Sequence, residues 1–271
     1  MLYTLVMDLL NKHMPQEYLA LKINYCRQQL KELPKTTLQT HTVRGVSTQK
    51  IVIGNHKYRI DSSIGEKYIG LMQKREDLER ELQFYEAIWN AKYKDVPFPE
   101  CVPHKAIRTM FIDTGKRVIL NKEYFDSLKN DADTKHPKPF DFKFDGIYYR
   151  SAAEREIAMF YTEMGIPFKY EPEVMIRGVN GFIYPDFVPY FEEIDNCKFH
   201  EHFGMKNSSN YLRITGIKYT NFTNAGLVPE LDILFTHDVE SMPFDIRYLS
   251  SKMNSAIYGT VISTKLSIPA S

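Results

Sequence analysis

From Tyr148 onward the hydrophobic period of the chain alternates between helical and extended, and the order it spells restricts the fold more than any other feature. Ser151 to Met164 places Ile157, Phe160, Tyr161 and Met164 on one helical face, with Gly165 positioned as the stop. Phe168 to Ile176 reads as a strand, Arg177 to Gly181 as a turn rich in Gly and Asn, Phe182 to Val188 as a second strand and Asn196 to Phe203 as a third. Ser208 to Ala225 is helical and closed by Gly226, and Glu230 to Thr236 is a further strand. Helix, strand, strand, strand, helix, strand is an α/β pattern.

The first part of the chain has a different texture. Pro15 stands where a helix begins, and Leu19, Ile23, Cys26, Leu30 and Leu33 follow at steps of four and three until Pro34 ends the run. Ser63 and Glu66 have the spacing of a capping box, and Ile64, Tyr68, Leu71, Leu78, Leu82, Tyr85 and Trp89 keep a heptad-like register that Arg75 interrupts. Two such seams, close together in sequence, predict an antiparallel helical pair within the chain; a dimer or a protein partner on these helices is the alternative. Between them Lys50 to Ile53 and His56 to Ile60 are β-prone runs around Gly54-Asn55, a hairpin signal. The division expected is a helical module with a small β-ribbon over residues 1–95, a proline-rich connector over 96–144 and a third region over 145–271.

At 271 residues the chain has room for one sizeable core or two modest ones, and 43% hydrophobic with 25% charged residues is ordinary for a folded protein. No run approaches the roughly 18 apolar residues of a membrane helix. Met1 to Leu10 lacks a basic leader, so no membrane partner and no export are expected. Three cysteines far apart, Cys26, Cys101 and Cys197, suit reduced thiols in a cytoplasmic protein better than a disulfide framework or structural zinc. The net charge of +1 is uninformative, but residues 1–60 hold nine Lys and Arg against three acids. That excess fits either a phosphate-facing surface or solvated helix faces.

The chemistry concentrates later. Asp186 follows Pro185, and Glu201 lies 15 residues on, so neighbouring strands can bring the two carboxylates to one point. Alternation puts Cys197, Phe199, Glu201 and Phe203 on one face of the third strand and Lys198, His200 and His202 on the other. Glu201 thus sits on an otherwise apolar face, which is costly for a carboxylate unless it is paired or holds a metal. Glu154 lies three and seven residues before Ile157 and Tyr161, on the helix face that should meet the sheet. Three convergent carboxylates make an oxygen-ligand set suited to Mg²⁺ or Mn²⁺. Plainer readings stand beside this one: Ser151 and Glu154 fit a capping box, Asp186 could be a turn acid, and His200 and His202 read as surface histidines, while Glu171 could be either an ion-paired acid or one that supports the metal-binding acids from behind. Most of the 18 Tyr and 17 Phe should be core, with base stacking as the other use.

The blocks Tyr149-Arg150-Ser151-Ala152-Ala153-Glu154, Gly165 to Glu171, Tyr184-Pro185-Asp186-Phe187 and His200-Glu201-His202-Phe203-Gly204, in this order, resemble the PD-(D/E)XK or restriction-endonuclease-like nuclease superfamily. The resemblance spans about residues 145–240. It implies a central mixed sheet flanked by helices, and a metal-dependent nuclease acting on DNA rather than RNA. It also implies that Asp186 and Glu201 bind Mg²⁺ or Mn²⁺ and that Glu154 assists. The pattern calls for Lys two residues after the second acid, where this chain has Phe203. Lys218, on the semi-apolar stripe of the next helix, is the substitute expected to stand by the attacking water, and Lys169 is the second choice. Without its lysine such a unit could instead be a non-catalytic nucleic-acid-binding module, and a scaffold that oligomerises through the N-terminal helices is the rival of another class.

Overall fold

The computed structural model describes residues 14–43, 46–99, 103–204, 209–238 and 244–266. Met1 to Leu10 and Cys101 fall outside these residues. The chain divides into two compact units, Leu19–Val102 and a second formed by Met1–Tyr18 with Pro103–Ser271. The stretch 96–144, expected as a connector, is therefore cut near residue 103, and its larger part, from Pro103 onward, belongs to the second unit.

In the first unit, α1 (Gln16–Glu32, which begins in the other unit) starts directly after Pro15 and stops before Pro34. It runs antiparallel to α2 (Ser63–Lys92). Lys22 lies over the Tyr85 ring at 5.4 Å, Arg27 pairs with Glu86 at 2.7 Å, and Arg75 donates to the carbonyls of Leu30 and Leu33 at 3.0 and 3.2 Å. Arg75, the residue that breaks the heptad register, thus satisfies the last carbonyls of α1, which lack helical partners of their own. The α2 cap sits one residue before the expected Ser63. Ser62 accepts from the Gly65 N–H at 3.1 Å, and a Cβ at Gly65 would collide with the Arg59 carbonyl.

The hairpin between the helices is one strand larger than expected. β1 (Thr36–Val43), β2 (Val46–Ile53) and β3 (His56–Arg59) form an antiparallel sheet in that order. β1 was illegible because its side chains alternate Thr, Gln and His with almost nothing apolar to set a period.

The second unit opens with the hairpin of β4 (Thr109–Asp113) and β5 (Lys116–Ile119), then a short helix α3 (Lys122–Ser127) and a two-residue ribbon of β6 (Lys143–Phe144) and β7 (Ile147–Tyr148). Next come α4 (Ala152–Glu163), β8 (Phe168–Tyr170), β9 (Phe187–Phe191), β10 (Asn196–Cys197), β11 (Phe199–Phe203), α5 (Ser209–Asn224), β12 (Ile233–His237) and α6 (Ile246–Leu266). The sheet is mixed. β9 pairs antiparallel with β8 on one side and with β10 and β11 on the other, while β11 and β12 run parallel. Gly165, at φ 63°, ends α4 as expected, letting the Ile166 N–H reach the Tyr161 carbonyl at 2.8 Å.

Two strands differ from the sequence reading. The first shortens to Phe168–Tyr170, and the second lies at Phe187–Phe191, with only a bridge between Val174 and Ile183 where an earlier start was expected. Pro189 lies inside β9 although proline cannot donate to a ladder. Its carbonyl nevertheless accepts from the Lys198 N–H at 3.0 Å.

Both faces of the sheet are covered. Val188, Cys197, Phe199, Phe203, Phe222 and Phe235 share one core, and Phe187 meets Tyr161, Phe168 and Tyr170 in an aromatic cluster with α4. Each fully buried aromatic of this kind contributes about 2–3 kcal/mol relative to exposure. Six α-helices occur among the described residues, and none is long and apolar enough to cross a membrane.

Candidate active site

Glu201 occupies the middle of β11, between Phe199 and Phe203 of the same face, and is 1% exposed. Lys218 reaches it from α5, its Nζ 2.6 Å from Oε2. Phe203, in the position where a lysine would extend the acidic step, points into the core and stacks on Phe235 at 5.7 Å. The cation therefore approaches the carboxylate from the neighbouring helix instead of along the strand. Burial, and after it the charge of Asp186, push the Glu201 carboxyl up to about 8 despite the pull of Lys218.

Asp186 lies in a bend one residue before β9, not inside a strand as expected. Its Oδ2 accepts from the His202 backbone N–H at 2.6 Å, and its carbonyl accepts from the Glu171 N–H at 3.1 Å. The side chain is held at the end of the sheet by the strand that carries Glu201.

Glu154 combines both readings given to it. Ser151 caps α4 and accepts from the Glu154 N–H at 3.1 Å, while the Ser151 hydroxyl donates to Glu154 Oε1 at 3.1 Å. The other carboxylate oxygen turns inward, accepting from the Tyr170 hydroxyl at 2.7 Å and the Arg150 N–H at 3.1 Å. Burial first, then Asp186, raise this carboxyl to about 7, and the three hydrogen bonds oppose the rise.

Asp186 is thus the charge that Glu154 and Glu201 both feel, and Glu201 also feels Glu154. As placed, no three His, Cys, Asp or Glu side chains among the described residues close into a metal cage. The chemistry of the donors nevertheless suits a hard divalent cation: all are carboxylate oxygens, and burial first, then the charge of Asp186, raises two of the three carboxyls.

Lys169 is not brought to these acids. Its ammonium lies 5.2 Å from the centre of the Phe125 ring. Glu171 belongs to a separate network, paired with Arg150 and, at 2.8 Å, with Lys138; Arg150 also binds Asp133 at 2.8 Å. Of the plainer readings, the ion-paired one fits Glu171.

The histidines correct the sequence reading. His200 and His202, expected at the surface, are buried together with Lys198. Helices cover that face of the sheet as well, so alternation separates two interior environments. The Tyr161 hydroxyl and His200 Nδ1 are 2.9 Å apart, and Thr236 Oγ1 lies 2.8 Å from His200 Nε2 and 2.9 Å from His202 Nδ1. Lys198 Nζ donates to the Leu231 carbonyl and Thr260 hydroxyl, both at 2.7 Å.

Sequence reasoning missed Tyr170 and Arg150 as the groups that hold Glu154. Both stand inside the blocks that carry the family resemblance, which was the available signal. Comparisons with protein-family models, curated proteins and solved structures returned no match.

Proposed function

We propose that the second unit is a Mg²⁺- or Mn²⁺-dependent nuclease that hydrolyses phosphodiester bonds of DNA, on a restriction-endonuclease-like core of the PD-(D/E)XK kind. The observation that carries this reading is the contact between Lys218 Nζ and Glu201 Oε2 at 2.6 Å, beside two further acids. An ammonium next to convergent carboxylates is what phosphodiester hydrolysis needs, and helix α5 delivers it where the strand has Phe203. The order α4, β8, β9, β11, α5, β12 and the mixed sheet support the same core. Cys26 and Cys197, both buried and neither in a disulfide, are in keeping with a cytoplasmic setting.

Asp186 and Glu201 would hold the metal, with Glu154 as a third oxygen donor or acting through water. Bound there, the ion would supply Lewis-acid polarisation of the phosphodiester and a water of lowered pKa. The remaining tasks fall to the chain. The His202 N–H fixes one Asp186 oxygen, and Tyr170 and Arg150 fix one Glu154 oxygen, so the acids need little rearrangement. Lys218, half exposed at the rim, neutralises Glu201 in the resting site and can offset charge on an incoming phosphate.

The test is cleavage of plasmid and single-stranded DNA with Mg²⁺ or Mn²⁺ by the wild type and by Lys218→Met. Metal-dependent cutting is expected, lowered about 100-fold in the variant by loss of the group beside the attacking water. Intact substrate in every divalent metal would refute the nuclease reading and leave a non-catalytic unit; full-rate cutting by Lys218→Met would refute the role of the lysine alone.

A further inference from the structure

The three-stranded sheet of the first unit has two unlike faces. Cross-strand partners share a face, so the register groups Leu38, Ile51 and Tyr58 on one side and Gln39, Lys50 and Arg59 on the other. The first set meets α2: Ile51 is fully buried, and Tyr58 stacks on Tyr68 at 5.7 Å. The opposite face adds Thr37 and His41 from β1 and Lys57 from β3, and Gln39, His41, Lys57 and Arg59 are exposed.

Three properties of that outward face point to a polyanion. It carries cations without acids, and residues 33–60 contain no Asp or Glu at all. Lys50 and Arg59 stand directly opposite one another, an arrangement of like charges that destabilises an antiparallel pair. Asp61, just beyond β3, offsets Arg59 in part through contacts of 2.9 and 2.5 Å. Thr37 and Gln39 add neutral donors of the kind that bind phosphate oxygens.

We infer that this face binds the phosphate backbone of double-stranded DNA. The choice of DNA over another polyanion rests on the nuclease reading of the second unit. Duplex is favoured over single strand because the face presents no Phe, Tyr or Trp on which unpaired bases could stack; Tyr58 lies on the other side. Three strands spaced about 4.8 Å apart give a strip about 10 Å wide, enough to lie along one backbone or enter a major groove about 12 Å wide.

The experiment is fluorescence anisotropy on the full chain in EDTA, where a metal-dependent enzyme cannot cut. Labelled duplex and single strand of equal length are titrated over a range of KCl concentrations. The double variant Lys50→Glu, Lys57→Glu should weaken duplex binding more than 10-fold. It should also lower the slope of log affinity against log salt by about 2, one phosphate contact per lysine. Lys50→Gln with Lys57→Gln keeps the strands free of new charge and should show the same slope change with a smaller loss, which guards against misfolding of the Glu variant. Unchanged affinity and slope in both variants would overturn the proposal, as would equal, lysine-dependent binding of single strand. Equal competition by polyglutamate would assign the face to an acidic protein and overturn it too. Lysine-dependent duplex binding by a chain that cuts nothing in any metal would uphold this surface and sink the nuclease reading; cutting with lysine-independent binding would do the reverse.

Discussion

Two groups of acids, all buried except the half-buried Asp186, lie in the second unit, and they are balanced in opposite ways. Asp133 and Glu171 are paired with Arg150, and Glu171 also with Lys138. Burial tends to raise the Asp133 carboxyl, but His136, the Lys135 N–H and Arg150 more than reverse it and hold it below the ordinary range. Glu154, Asp186 and Glu201 have one paired lysine, Lys218, among the described residues, and two of the three carboxyls are driven upward by burial and mutual repulsion. Arg150 touches both groups, its guanidinium serving the first and its backbone N–H serving Glu154. The paired group fixes the corner of the fold. The under-neutralised group is where a cation and an anionic substrate have something to gain.

The contrast can be broken by substitution. Asp186→Ala or Glu201→Ala should lower DNA cleavage about 1,000-fold or more, the several kcal/mol that a metal's charge stabilisation supplies, with folding intact by circular dichroism. Loss of fold in place of loss of activity would make this group structural like its neighbour. Arg150→Leu should do the converse and destabilise the protein by about 3 kcal/mol in urea melts, because it strands Glu171 in the interior. A cost below about 1 kcal/mol would mean that Lys138 alone suffices. Tyr170→Phe removes one donor to Glu154 and should reduce Mn²⁺ affinity or turnover about 10-fold, read by calorimetry and steady-state rates. No change would show that Arg150 and Ser151 hold that carboxylate unaided.

The smallest effect concerns Lys198, whose burial lowers it to about 8 from the ordinary 10.5 although the charge of Asp232 pulls the other way. The unfolded chain then binds more protons than the native state between those two values, so stability should rise as pH is raised from about 8 to about 10.5. Below about 8 the penalty of the buried charge is fully present. Lys198→Met should flatten that segment of the stability curve, and a slope that survives the substitution would assign it to another group.

Much of this was legible in the residues. The helix before Gly165, the hairpin at Gly54-Asn55 and the antiparallel helical seam each rest on local period and turn chemistry, and each appears where it was read. Face and order pointed Glu154 and Glu201 inward, and both are buried. What failed was the assumption that polar means outward. His200, His202 and Lys198 alternate with Phe199 and Glu201, as they would on a half-solvated sheet, but Tyr161 of α4 meets His200, Thr260 of α6 meets Lys198 and Thr236 of β12 meets both histidines indoors. Such satisfaction depends on residues 34 to 62 positions away, beyond any local pattern. The same distance hid the Arg150 network, because Asp133 and Lys138 sat in a stretch that read as a connector. Phe203 was instructive in the other direction: a broken motif on the strand pointed to a lysine on the next helix, and Lys218 does contact Glu201.

The central claim is that the charge deficit at Glu154, Asp186 and Glu201 receives a divalent cation. Anomalous diffraction from crystals soaked in Mn²⁺ tests it most directly. The expected result is a peak within about 2.0–2.6 Å of Asp186 and Glu201 oxygens. No peak there, or a peak on Asp133 and Glu171 instead, would contradict it.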